Sequence, residues 1–574
     1  VIGKLRVWSW GDVRGSVSEA RLAKAVANNG SVTHLDLADC GVEVPVVHNI
    51  LLGLAKNTTM QELNLSRNLC MATINPFAIG AMLIGNTSLE VLQLARSRLT
   101  FSGAQYIALG LGRNHALKKL DVSGNQHISD LGAAKIFEAL KTNNRLEHLN
   151  LNGCGVSVAA CKVLAEVLCT NTTLRYLNLA QNPFVSDTGI CHFLPGLEKN
   201  TTLKSLEIGA CGLETQGMQK LAIVLACPTV ALEKISFANS SFDSCTVTEL
   251  IKSFAMFRPL LHLNLTSCSL SSVCVMHVAR AAKHLTTLQE LLLTGNEIHL
   301  DAAEAIGDLL ESSTTLTCLG LEAGGITIES SKHIARGLSR NAALLQLSLG
   351  GNDSIENEGA RILASALSIN TSLEELDLRY CDIGVQGAVA IAQSLLDSRT
   401  LKRLFLNANA SISDKGAAAF GDALAQNCSL EMLDLGECGI GTEGARSLAF
   451  ALLTNLHLKR LNLRANSLIQ NGASALAIAL VQNQTLTSLN LSSCAVDTDS
   501  AISLANALVL NTSLTHLDMG QNKDILDRGA QAFQEVSRRG CAIKRVNLRD
   551  CGLTKTEVQV QETEIPSFER RNLI

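Results

Sequence analysis

Cysteine is the residue with most chemistry to offer in this chain of 574 residues, which holds 18 of them beside 13 histidines. Thiolates and imidazoles ligate metals, and paired thiols form disulfides. The spacing supports neither use. No C-x2-C pair is present, which removes the usual basis of a zinc site. The histidines form no ligand cluster. His34, His148, His262 and His516 are far apart in the chain and are expected to be exposed surface residues. No P-loop, H-E-x-x-H or G-x-S-x-G motif occurs. The sequence therefore predicts no catalytic set, no metal, no cofactor and no small-molecule substrate.

The elements that carry these residues explain the spacing. The frame L-x-x-L-x-L-x-x-(N/C) recurs nineteen times from Val32 to Cys551, as in Leu373-Glu-Glu-Leu-Asp-Leu-Arg-Tyr-Cys381 and Leu401-Lys-Arg-Leu-Phe-Leu-Asn-Ala-Asn409. Successive frames begin at near-constant steps, as at Leu344, Leu373, Leu401, Leu430 and Leu458. The fourth position is leucine except at Ile235 and Val546. Alternating leucines predict a short strand with one apolar side. A run such as Gly359–Asn370 predicts a helix, with Leu363, Ala364 and Leu367 on one face. Asn370 ends it, where a left-handed cap is expected. One repeat cannot bury its own leucines, whereas stacked repeats can. The predicted fold is an α/β solenoid, horseshoe or superhelix, with a parallel inner sheet and outer helices.

A second period overlies the first. The ninth frame position is Cys40, Ser97, Cys154, Cys211, Cys268, Gly324, Cys381, Cys438, Cys494 and Cys551 in odd repeats. In even repeats it is Asn68, Asn125, Asn182, Ser240, Asn296, Asn352, Asn409, Asn466 and Asn522. The true unit is thus a pair of repeats. This alternation resembles the leucine-rich repeats of the ribonuclease inhibitor class over residues 30–553. It is also similar to the leucine-rich domains of innate immune receptors, Ran GTPase activators and certain ciliary subunits. A buried Asn or Cys at this position is expected to bond the loop backbone of its neighbours. Odd repeats lie two strands apart, roughly 9–10 Å, whereas a disulfide needs alpha carbons within about 7 Å. The ladder cysteines are therefore expected to be buried, reduced thiols, which suits a cytoplasmic protein. Sequons at Asn57, Asn86, Asn171, Asn200, Asn370, Asn427, Asn483 and Asn511 recur in phase with the helix ends. They read as turn structure rather than glycosylation sites.

Three regions depart from the frame. Residues 1–31, with Trp8, Trp10 and a helix-like run from Val17 to Asn29, read as an N-terminal cap to the array at 32–553. Residues 554–574 are polar and read as a C-terminal cap or tail. Around Phe237, Phe242, Phe254 and Phe257, with Pro228 and Pro259, a local irregularity is expected. The chain starts at Val1, so an upstream domain could precede it. No apolar run is long enough for a membrane span, and no secretory signal is evident. With a net charge of −4, nothing in the overall balance argues for nucleic acid or an anionic membrane, and neither is expected as a partner.

Function is expected on the inner, concave face, to which the third, fifth and seventh frame positions point. Most are small or polar. Repeats 13 to 16 are richer, with Glu375, Asp377, Asn407, Met432, Glu437 and Asn462 surrounding the candidate partner-binding residues Arg379, Tyr380, Arg403, Phe405, Asp434, Arg460 and Arg464. Tyr380 and Phe405 are expected to be exposed apolar anchors, flanked by the arginines. This predicts a non-enzymatic protein-interaction scaffold, for which a subunit of a large assembly such as a ciliary or cytoskeletal complex is one form. The alternative that the resemblance implies is a Ran-type GTPase activator using an early-repeat arginine, for which Arg67, Arg96 and Arg98 stand at strand-to-helix turns. The tail lacks the acidic tract of that family.

Overall fold

The computed structural model describes residues 4–6, 24, 26–243, 246–247, 250–251, 253, 260–469, 471–538 and 541–554. It divides into two compact units, 1–270 and 271–574. In the first, ten three-residue strands run from Lys4–Arg6 to His262–Asn264, each parallel to the next. In the second, ten more run from Glu290–Leu292 to Arg545–Asn547 in the same way. A helix follows most strands and packs on the helices of its neighbours. Each unit is an α/β leucine-rich-repeat solenoid. The strand Lys4–Arg6 pairs with His34–Asp36 and extends the sheet beyond the first leucine frame. Trp8 and Trp10, most of the run from Val17 to Asn29, Phe254, Phe257 and Pro259, and the segment after Thr554 lie outside the described residues.

The leucines behave as their spacing requires. Leu373, Leu376 and Leu378 are almost fully buried, as are Leu363, Ala364 and Leu367 on the facing helix. Near the irregular stretch, Phe237 and Phe242 are both buried, with ring centroids 5.7 Å apart at 71°. That edge-on arrangement is favoured by the ring quadrupoles.

The ninth-position side chains close the turns between repeats. Asn125 donates through Nδ2 to the carbonyls of Leu94 (2.8 Å) and Val122 (2.7 Å). Its Oδ1 accepts from the amides of Ser97 and Leu99, each at 2.9 Å. Asn409 repeats the pattern on Leu378, Leu406, Cys381 and Ile383. From Cys154 onward, each ladder thiol donates to the carbonyl one repeat back, as Cys154 does to Val122 (3.1 Å) and Cys438 to Leu406 (3.2 Å). Ser97 makes the same bond to Leu65 with its hydroxyl (3.1 Å). Gly324 stands where the others carry a side chain because Ile298 fills the space. A Cβ on Gly324 would lie 2.8 Å from the Ile298 Cδ1 atom.

The helix-end asparagines form a second ladder. Asn370 Nδ2 donates to the carbonyls of Leu338 and Asn341, both at 2.8 Å, and its Oδ1 accepts from the amides of Ser372 and Leu373. The left-handed cap expected there is not found. Asn370 is not among the residues with positive φ, and Asn86 and Asn171 at equivalent ends are extended. The side chain, rather than a left-handed backbone, satisfies the helix end. All eight sequon asparagines are buried, at 7 % exposure or less. A glycan on Nδ2 would have to displace the carbonyls it serves.

A third device links several even repeats to the odd repeat after them. Asp130, in the first turn of the helix Ser129–Leu140, accepts from the amides of Ser157 and Ala160 at the start of the next helix, at 2.7 and 3.0 Å. Asn357 does so for Gly384 and Gly387, and Asp414 for Gly441 and Gly444. These helices carry no capping bond from their own N-cap residue. The cap is supplied by the preceding repeat.

Two outcomes are expected. Replacing Asn370 by alanine leaves two buried carbonyls and two amides without their partner, at about 2–3 kcal/mol by the usual cost of orphaned groups, readable as a lower urea midpoint. Among the described cysteines, Cys169 and Cys428 are exposed, whereas Cys154, Cys211, Cys268, Cys381, Cys438 and Cys494 are buried with thiols pushed up to about 12 by desolvation. Thiol-reagent labelling of the native protein should modify Cys169 and Cys428 quickly and the ladder cysteines only at the rate of unfolding.

Candidate functional site on the open sheet face

The strands Glu375–Asp377, Arg403–Phe405, Met432–Asp434 and Arg460–Asn462 stand in register, so frame positions form rows across them. The third-position row is Glu375, Arg403, Met432, Arg460. The fifth is Asp377, Phe405, Asp434, Asn462. Both rows face away from the leucine core.

The structure brings most of the predicted residues together but assigns them different tasks. Phe405 is 3 % exposed, which overturns its reading as an exposed anchor. Its ring is covered by the Arg379 guanidinium, 5.3 Å from the ring centroid. This is a cation–π arrangement. Arg379 is held there by Asp377 at 3.0 Å. Asp434 is also buried and engaged. It accepts from the Gly436 amide (3.0 Å) and from Asn462 Nδ2 (2.9 Å). Desolvation raises its pKa, with those bonds and Arg379 opposing. It closes a turn at the end of its strand, as Asp377, Asn462, Asn490 and Asp518 do at theirs. Arg403 is paired with Glu375 at 2.5 Å, and Arg464 reaches Glu437 at 3.5 Å.

Tyr380 and Arg460 are the two predicted residues left with unspent capacity. Tyr380 is 55 % exposed in the turn after its strand. Its backbone lies at φ 53. That left-handed conformation is one that a bulky side chain seldom adopts. Arg460 is half-buried, and no carboxylate among the described residues lies within ion-pair distance of it. Burial, and then the charge of Arg403, push its pKa down.

A cluster in the first unit escaped the sequence reading. His148 and Tyr176 occupy the third position of adjacent strands, with ring centroids 5.5 Å apart at 30°. The Tyr176 hydroxyl donates to Glu207 (2.9 Å), as does Asn178 Nδ2 (2.7 Å). Glu207 is 4 % exposed and its pKa is raised, first by burial. His148 is half-buried and its pKa lowered, also first by burial. His34, His262 and His516 are likewise half-buried, which corrects the reading of all four as exposed surface. The signal was a diagonal: third position in two repeats, fifth in the next. Reading repeats singly hides it. In the same unit, Arg67, Arg96 and Arg98 are exposed in left-handed turns and make no ion pair among the described residues.

The pattern of a leucine-rich-repeat family matches eight segments, 113–137, 170–190, 199–222, 284–307, 370–392, 426–449, 482–505 and 510–533. The chain is a leucine-rich-repeat protein of the ribonuclease-inhibitor-like class. It is 29 % identical to the ribonuclease inhibitor of Mus musculus over 409 residues, which is 70 % of this chain and 88 % of the inhibitor. The ribonuclease inhibitor of Sus scrofa is 29 % identical over 411 residues, with the same coverage. A NACHT, LRR and PYD domains-containing protein 14 of Mus musculus is 30 % identical over 360 residues, 62 % of this chain but 33 % of that protein. No described helix is long and apolar enough to cross a membrane.

Glu207 gives a pH test. Its folded pKa lies above the unfolded one, so it weakens the fold progressively as pH rises from the unfolded value through the folded value, and adds no penalty below both. Glu207→Gln should remove that slope, seen as a smaller fall in urea midpoint between acid and neutral pH.

Proposed function

We propose that this protein is a non-enzymatic protein-binding scaffold that takes partner proteins on the open, inner face of its sheet. The observation that carries this is Tyr380, a large exposed aromatic held in a backbone conformation that glycine would occupy with less strain. Folding alone gives no reason for tyrosine there. Aromatic and arginine side chains dominate binding energy at protein interfaces. Tyr380 would be the apolar anchor, and Arg379, Arg403, Arg460 and Arg464 would orient the partner. Phe405 and Asp434 would act from beneath, by fixing Arg379 and the strand end. The relatives named for ribonuclease inhibition support a binding role, and the long regular array suits a subunit of a larger assembly, such as a ciliary or cytoskeletal complex. The unbonded thiols among the described residues fit a reducing compartment, the cytoplasm.

A second reading is a GTPase activator, favoured by the exposed Arg67, Arg96 and Arg98. Acceleration of GTP hydrolysis by a small GTPase, lost on replacing these arginines, would establish it in place of the scaffold.

Tyr380→Gly separates binding from folding. Relief of the left-handed strain is worth about 1–2 kcal/mol and is offset in part by the flexibility of glycine when unfolded. The variant should therefore melt at or slightly above the parent temperature. In affinity purification with mass spectrometry it should lose partners that the parent retains. A variant that keeps every partner would remove Tyr380 from the interface.

A further inference from the structure

The third-position row continues in register through the second unit as Arg460, Ser488, His516 and Arg545. At the start of the row, charge is compensated within the fold, since Glu375 holds Arg403. At Arg460 it is not. Its strand neighbours Met432 and Ser488 are buried and uncharged. The acid whose field it feels, Glu431, is already bound by Lys459 at 3.0 Å. Two strands on, His516 makes one side-chain bond among the described residues, between Nδ1 and the Thr515 hydroxyl (2.8 Å). Lys544, exposed on the next repeat, has no carboxylate within ion-pair distance among the described residues. The nearby acid of the fifth-position row, Asp518, spends itself on the Gly520 amide and Asn547 Nδ2, both at 2.9 Å.

This stretch of the open face is therefore electropositive. His516 is disfavoured as a cation by burial, then by Arg545 and Lys544. A half-buried guanidinium without a counter-ion is costly, and an incoming anion recovers that cost.

We propose that Arg460, His516 and Lys544 form a docking strip for an acidic segment of a partner protein. This rests on the scaffold reading and gives the chemistry of what the face recognises. The spacing selects a peptide. Arg460 and His516 stand two strands apart, roughly 9–10 Å, which an extended chain spans in about three residues at about 3.3–3.6 Å each. A phosphate group would instead want several cations converging on one point. The segment would cross the strands, its carboxylates meeting the charges of Arg460 and Lys544, with the His516 imidazole between them as a hydrogen-bonding group.

The test uses the full chain and a fluorescein-labelled peptide with glutamate at every third position between glycines and serines, followed by anisotropy. The parent should bind it, and affinity should fall as salt is raised. Arg460→Gln with Lys544→Gln should weaken binding by about tenfold or more, as loss of interface charge pairs can. Lys204→Gln, which removes a cation paired with Glu233 in the first unit, should leave it unchanged. Lys544→Glu, on an exposed side chain, gives an independent loss of affinity should the double variant melt early. No binding by the parent, equal binding by the double variant, or tighter binding of an oligothymidylate of equal charge would each overturn the proposal. Failure here with partner loss still caused by Tyr380→Gly would leave the scaffold reading standing and remove only the acidic segment.

Discussion

A buried amide or carbonyl without a partner costs about 1–3 kcal/mol, and stacking repeats buries a turn at both ends of every strand. Satisfying those turns is the constraint on which the rest of this molecule depends. Leucine burial supplies the driving force but says little about register, since any apolar residue in the slot would serve. The side-chain amides do specify register. Asn125 bonds groups in its own turn and in the turn before it, so a slip of one residue would break both sets. The thiols have the narrower task of meeting one carbonyl of the preceding repeat, as Cys154 does. Two such ladders, one at the strand end and one at the helix end, hold each repeat to its neighbour at two points.

The alternation of Asn and Cys repeats follows from capping as much as from the ladder. In the even repeats described above, the turn ends in a residue such as Asp130, Asn357 or Asp414 that caps the helix of the odd repeat behind it. The reverse loan is seen at Ser272, an odd-repeat residue whose hydroxyl accepts from the His299 amide of the next repeat. Where an even repeat lends its carboxylate or amide, it and the following repeat are coupled as a pair. Nearest-neighbour coupling, the usual energetic form of a solenoid, here has two kinds of interface.

Much of this was legible in sequence. Nineteen frames at near-constant steps fix strand, helix and parallel order. The ninth-position alternation correctly announced that Asn and Cys would serve the loop backbone. What failed has a common cause, which is contact between repeats. Phe405 has the frame position of a surface residue, yet it is buried with the Arg379 guanidinium over its ring. Asp434 reads as an exposed acid and is spent on its own turn and on Asn462 of the next repeat. Asn370 reads as a backbone cap and acts through its side chain. Glu207 meets Tyr176 only because adjacent strands bring their fifth and third positions within reach. Each misreading concerns a side chain whose partner lies one repeat away.

These lateral bonds also decide which parts of the open face can recognise anything. The fifth-position row is consumed by strand-end turns, so its acids contribute to stability and offer little to a partner. Paired surface ions such as Lys402–Glu374 and Lys459–Glu431 are worth at most about 1 kcal/mol and add little contrast. What remains is the third position and the eighth, where the fold sets no demand on side-chain chemistry. At the eighth the backbone is left-handed in repeat after repeat, at Asp39, Gly124, Gln181, Ala408 and Gln521 among others. Small or amide residues are the undemanding choice there. A tyrosine at this position, and an uncompensated arginine on the third row, are departures that the solenoid does not require. In a fold whose stability is carried by leucines, amides and thiols, such departures are what the proposed partner site rests on.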